Sequence, residues 1–134
     1  MKKMNPVVHF EMPAVDRQRM SDFYSKAFGW ETQMLGEEMG NYVIATTTGR
    51  DPVTRMPVTP GAINGGFYQK TPDMTLAYPS IVIAVDDVKA AMKDIVDAGG
   101  QVLGEPIDIP GVGAYVSFCD TEGNRVSVLQ PLVM

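Results

Sequence analysis

Two helical stripes, each preceded by one β-rich run and followed by three more, constrain this chain more than any other feature of its sequence. From Asp16, a residue suited to a helix N-cap, the apolar positions Met20, Phe23, Tyr24, Ala27 and Phe28 recur at helical spacing, and Gly29 follows as a stop. From Asp86 and Asp87 the spacing returns as Val88, Ala91, Met92, Ile95 and Val96, closed by Gly99 and Gly100. The run PVVHFEM at 6 to 12 precedes the first helix, and strands are expected after it at 30 to 35, 41 to 47 and 62 to 69. SIVIAV at 80 to 85 precedes the second, with strands expected at 101 to 109, 113 to 120 and 125 to 130.

The order is therefore βαβββ twice, over about 5–69 and 79–131. Short echoes accompany the repeat: VD at 15 and 85, LGE at 35 and 103, GNYV against GAYV. A four-stranded sheet with one helix leaves a face bare, so the two units are expected to pair, within one domain spanning 1–134 or across a dimer. The fold class expected is α+β. A chain of 134 residues with 45% hydrophobic side chains can bury a core without disulfides or a structural metal.

Charge and composition remove several functions. The net charge is -5, and Lys and Arg are scattered, so no basic stripe exists for a phosphate backbone and no nucleic-acid partner is expected. A single cysteine, Cys119, fits a reducing compartment, and no apolar run suits a leader or a membrane span; a cytoplasmic protein is expected. No G-x-S-x-G elbow accompanies the one histidine, His9, and Cys119 reads as a small buried residue before it reads as a nucleophile. The glycines of GAINGGF precede neither a Lys-Ser or Lys-Thr pair nor a helix, so close backbone packing explains them better than a phosphate cradle. The stretch 48–61 is long for a connection and reads as a binding lid or a surface insertion, with Arg50 and Arg55 in it.

A first strand carrying His9, followed by Asp16, Phe23, Tyr24, Gly29 and Trp30, and a second unit with VDDVKAAMKDIVDAGG and DTEGNRVSVLQP, resembles the vicinal oxygen chelate superfamily. That group includes glyoxalase I, extradiol dioxygenases, fosfomycin-resistance enzymes and metal-free bleomycin-binding proteins. The resemblance implies tandem βαβββ units forming a curved mixed-sheet cup with helices outside, a small-molecule ligand and a homodimer. It also implies, in the enzymes, a divalent metal held by four positions, one in the first and one in the last strand of each unit. His9 stands at the first. Ser80 stands at its counterpart, Ser127 at the final-strand position, and Gly65 or Gly66 at the remaining one.

A serine hydroxyl is a poor ligand for such a cation and glycine offers none, while a mononuclear site needs about three protein ligands. The expectation is thus a small-molecule-binding protein with a degraded metal site and no metal, possessing ligand-binding candidates His9, Glu11, Ser80, Tyr115, Ser117 and Ser127. Sequestration of an organic compound or antibiotic is one form of it. The alternative is a metal-dependent glyoxalase-like lyase or isomerase, or a dioxygenase, with one divalent ion.

Overall fold

A computed structural model describes residues 3–132. The chain divides into two compact units, one of residues 9–79 and one of residues 80–132 together with residues 3–8. The Ala84 amide donates to the Pro6 carbonyl (2.9 Å), tying the N-terminal residues to the second unit's strands.

The first unit, with Val7 and Val8 leading into it from the second, runs β1 (Val7–Ala14), α1 (Arg17–Phe28), β2 (Glu31–Met34), a one-turn 3-10 helix (Glu37–Met39), β3 (Val43–Thr46) and β4 (Asn64–Gln69). Its strand order is β2-β3-β4-β1, with β4 parallel to β1 and antiparallel to β3. The second runs β5 (Ser80–Ala84), α2 (Val88–Asp97), β6 (Gln101–Ile109), β7 (Gly113–Cys119) and β8 (Arg125–Pro131), ordered β5-β8-β7-β6. β8 lies parallel to β5 and antiparallel to β7. Both units are βαβββ, and the fold class is α+β with mixed sheets.

Both helices start where their caps dictate. The Asp16 carboxylate accepts from the Arg19 amide (3.0 Å), and Asp87 accepts from Lys89 and Ala90 (2.9 and 3.2 Å), satisfying donors that a first helical turn otherwise leaves bare. Gly29 ends α1 in the left-handed region at φ 74, which a side chain resists.

One face of each sheet is covered by its helix. In the first unit Ala14, Val43, Ala45 and Phe67 are buried, with Phe10, Met12, Met20, Tyr24, Trp30 and Met34 packed against them. In the second, Val85, Val88, Val116 and Val128 form the core, with Ala91, Met92 and Ile95 of α2 against it. The α1 stripe is narrower than its spacing implies: Phe23 and Phe28 are 57% and 65% exposed, and Met20 and Tyr24 carry the packing. Val96 likewise lies outward on α2. In β6, an edge strand, Gly104 and Pro106 fall where the register shifts between Leu103 and Ile107, a place that tolerates a missing N–H.

The paired glycines of β4 do serve close packing, on both faces at once. A Cβ on Gly65 would run into the ring and carbonyl of Phe10 on the helix side, and a Cβ on Gly66 would overlap the Tyr42 phenol on the other. The stretch 48–61 is held as a hairpin by the Arg50–Pro57 bridge, and the Asp51 carboxylate accepts from the Val53 and Thr54 amides at its tip (2.8 and 2.9 Å). Among the described residues no helix is long and apolar enough to cross a membrane.

Candidate functional site

Strand alternation sorts the polar residues of each unit onto the face its helix leaves uncovered. In β1, Phe10, Met12 and Ala14 enter the core, so His9 and Glu11 face the other way. β4 brings Asn64 beside His9 and Gly66 beside Glu11, and Ile44 of β3 lies opposite Gly66. Tyr42, just before β3, lays its ring over Gly66, where no side chain stands in its path.

Its hydroxyl then meets both candidates of the first strand. Tyr42 Oη donates to Glu11 Oε2 (3.1 Å), and His9 Nε2 lies 3.0 Å from the same oxygen. A phenol has one proton, and it goes to the carboxylate; His9 must therefore donate Nε2–H, leaving Nδ1 as the acceptor of a neutral ring. Burial pushes the His9 pKa below its ordinary 6.5; Glu11 opposes that shift, and Arg50 of the hairpin adds to it. Asn64, beside His9 and 4% exposed, accepts the Thr47 and Thr48 amides on Oδ1 (2.7 and 3.0 Å), anchoring the start of the hairpin. Its Nδ2 is buried with no hydrogen-bond partner among the described residues.

A lowered His9 pKa has a thermodynamic consequence of definite sign. Between the lowered folded value and 6.5 the unfolded chain holds more protons, so stability is full above about pH 6.5 and falls as pH drops through the folded midpoint. An NMR titration of the one imidazole is expected to give a midpoint below 6.5, with urea stability of wild type, but not of His9→Gln, declining over that window. A midpoint at or above 6.5 would contradict the burial argument.

In the second unit Val116, Phe118 and Val128 face the core with α2, so Tyr115, Ser117 and Ser127 share the opposite face. Ser117 and Ser127 are register partners with hydroxyls 2.9 Å apart, Ser127 donates to Tyr115 Oη (2.8 Å), and a guanidinium nitrogen of Arg125 donates to Ser117 Oγ (3.2 Å). Ser80 begins β5, half-buried and outside this hydrogen-bonded chain.

The structure thus gathers His9 with Glu11 in one unit, and Tyr115, Ser117 and Ser127 in the other. Tyr42, Asn64 and Arg125 are the residues that reading the sequence passed over. The GNYV and GAYV echo is the signal that points to Tyr42, because the strand registers make Tyr42 and Tyr115 equivalent. Those registers also decide between the two glycines. Glu11 pairs with Gly66 as Val82 pairs with Ser127, so Gly66 is the counterpart of Ser127 when His9 is matched to Ser80. Among the described residues no three of His, Cys, Asp and Glu converge as a ligand set.

Comparison with known proteins covers almost the whole chain. The profile of the Glyoxalase/Bleomycin resistance protein/Dioxygenase superfamily matches residues 7–128. A glyoxylase-like domain-containing protein of Didymella fabae is 33% identical over 123 residues, 88% of each chain. A putative glyoxylase of Mycobacterium tuberculosis is 30% identical over 122 residues; the alignment takes in 90% of this chain but only 43% of that protein. Among solved structures, a methylmalonyl-CoA epimerase of Streptomyces coelicolor in complex with 2-nitronate-propionyl-CoA superposes with a TM-score of 0.70. That match covers 98% of this chain and 100% of the epimerase at 18% identity, which establishes the shared fold alone.

Proposed function

Because this chain belongs to the Glyoxalase/Bleomycin resistance protein/Dioxygenase superfamily, we propose that it binds a small organic molecule at a site that works without a resident metal. The observation that carries this reading is the Tyr42 hydroxyl. It fills the space above Gly66, the position matched to Ser127, and it engages both the Nε2 of His9 and the carboxylate of Glu11. A cation taking His9 Nε2 would have to expel that hydroxyl. It would then find at most a histidine and one carboxylate, short of the three or so protein ligands that a mononuclear site needs, with glycine and serines at the other family positions. The donor set does not fit a divalent metal.

What these residues offer a ligand is a neutral imidazole whose Nδ1 has no hydrogen-bond partner among the described residues, and a carboxylate and a phenol that fix its tautomer. Such a constellation orients a polar group of a bound molecule. Sequestration of an organic compound or antibiotic needs nothing further. His9, Glu11 and Tyr42 are the ligand-binding residues of the first unit; Ser80, Tyr115, Ser117 and Ser127 are those of the second. A homodimer, a single-domain organisation over 1–134 and a cytoplasmic setting belong to the same proposal.

One observation favours a second reading, a metal-dependent lyase or isomerase or a dioxygenase: His9 and Glu11 converge on one point, the Tyr42 oxygen. Elemental analysis of purified protein, after incubation with Zn²⁺, Ni²⁺, Mn²⁺ or Fe²⁺ and desalting, separates the two. The metal-free reading expects far less than one equivalent. A stoichiometric ion lost in His9→Ala would transfer the function to the second. A thermal-shift screen of an organic compound library, run in parallel on wild type and Tyr42→Phe, is expected to yield compounds that stabilise only the former.

A further inference from the structure

We infer that Arg125 and the serine pair of the second unit form an oxyanion site, one that takes a carboxylate or phosphate group carried by a small molecule. The inference rests on the second unit's share of the proposed binding function and adds to it a charged residue and a ligand chemistry.

Arg125 has only donors, and one of its terminal nitrogens gives a proton to Ser117 Oγ (3.2 Å). Ser127 gives its proton to Tyr115 (2.8 Å), so in the 2.9 Å contact between the serines the donor is Ser117. All three protons run the same way, from Arg125 toward Tyr115. Both serine protons are consumed inside the chain, and Ser117 meets the guanidinium with an oxygen alone. At 6% and 2% exposure, Ser117 and Ser127 are fixed parts of the sheet face, so the guanidinium is held by a rigid neutral acceptor.

The charge is what remains unmatched. Arg125 is half-buried at the start of β8, and among the described residues no carboxylate comes within ion-pair distance of it. Of the other described cations, Arg19, Lys26, Arg50, Arg55, Lys70 and Lys89 stand exposed to solvent, and three have partners within the chain. Arg17 is taken up by the carbonyls of Leu35 and Asn41 (2.8 and 3.2 Å), and Lys3 and Lys93 pair with Asp86 and Asp97 (3.0 and 2.8 Å). A partly desolvated guanidinium resting on one hydroxyl keeps most of its five N–H donors and its whole charge for another partner. Its planar fork matches a carboxylate or phosphate in two-point contact, and a side chain already held in place loses little freedom on binding.

The surroundings suit a ligand and not a core. Arg125, Ser117, Ser127 and Tyr115 lie on the sheet face opposite the apolar cluster packed on α2. Cys119 is the register partner of Arg125 on that face and is only partly buried, so the one thiol of the chain stands beside the inferred site as a built-in reporter.

Titrating inorganic phosphate and, separately, acetate into ¹⁵N-labelled protein at constant ionic strength and pH 7 tests the inference. Saturable shifts are expected at the Arg125 Nε–H and at the amides of Ser117, Ser127 and Cys119, with a Kd on the order of 1 mM for groups this small. Bound anion is expected to slow iodoacetamide alkylation of Cys119 several-fold. Arg125→Gln, which keeps a donor for Ser117 and removes the charge, is expected to lose both effects while its far-UV spectrum and the remaining amide shifts stay native. Arg125→Lys is expected to bind more weakly than wild type, because it keeps the charge and loses the fork. Whichever anion binds more tightly identifies the group the site prefers. Shifts that stay linear in concentration, or binding of equal strength in Arg125→Gln, would overturn the inference. Failure of the oxyanion site is read at Arg125, whereas failure of the metal-free reading is read as a stoichiometric ion at His9.

Discussion

Phe67→Ala is expected to cost about 3–5 kcal/mol, the range for removing a fully buried aromatic ring from a core. Phe67 is 0% exposed at the centre of the first unit, flanked by Met12 on β1 and Val43 on β3, with the rings of Tyr24 and Trp30 at centroid distances of 5.6 and 6.5 Å. β3 and β1 hydrogen-bond to β4 on either side, so the backbone around the deleted ring has little freedom to collapse into the space. Against a total stability of roughly 5–15 kcal/mol for a domain, that loss is a large fraction. Urea unfolding should show a strongly lowered midpoint. Phe23→Ala is the matched control: the same atoms leave a side chain that is 57% exposed, and the expected cost is under about 1 kcal/mol. Equal costs at the two positions would mean that the core has been misplaced.

The contrast between these two phenylalanines shows where reading the sequence stops. Helical spacing places Phe23 on the stripe with Met20 and Tyr24, and periodicity alone gives no reason to separate them. The width of a buried stripe depends on what the helix lies on, and α1 covers only one side of a four-stranded sheet. Element order was legible because its signals are local: Asp16 and Asp87 cap the helices that follow them, and each β-rich run forms a strand. Some boundaries were not, since the expected run stops at Met12 whereas β1 continues through Pro13 to Ala14. For the site, strand parity was enough to put His9 with Glu11, and Tyr115 and Ser117 on one face, but parity cannot state register. Tyr42 reaches His9 only because β3 and β4 pair so that Gly66 lies beneath its ring, a relation between segments more than 20 residues apart. Arg125 was passed over for a similar reason. Its partner Ser117 belongs to the neighbouring strand, and an arginine after a turn looks like any solvated charge until that strand is placed.

Gly66→Ala should dismantle the first unit's cluster by a single methyl group. The added Cβ would overlap the hydroxyl end of Tyr42, a side chain that can swing aside, and doing so breaks the bonds to His9 and Glu11 together. Overpacking of this kind costs about 1–3 kcal/mol. His9 would lose the acceptor that fixes its tautomer, so its Nε2–H resonance should vanish and its ring ¹⁵N shifts should move toward a mixture of the two neutral forms. Tyr42→Phe is expected to produce the same change at His9 without the steric cost. The two effects separate in a double-mutant cycle: in a Tyr42→Ala background the new methyl enters vacated space, and the penalty of Gly66→Ala should shrink by about 1–2 kcal/mol. A penalty of the same size in both backgrounds would show that Gly66 answers to its own backbone and not to Tyr42. The phenol would then no longer explain why a glycine stands in the middle of β4, and a side chain crossing a bare strand would no longer be what assembles the site.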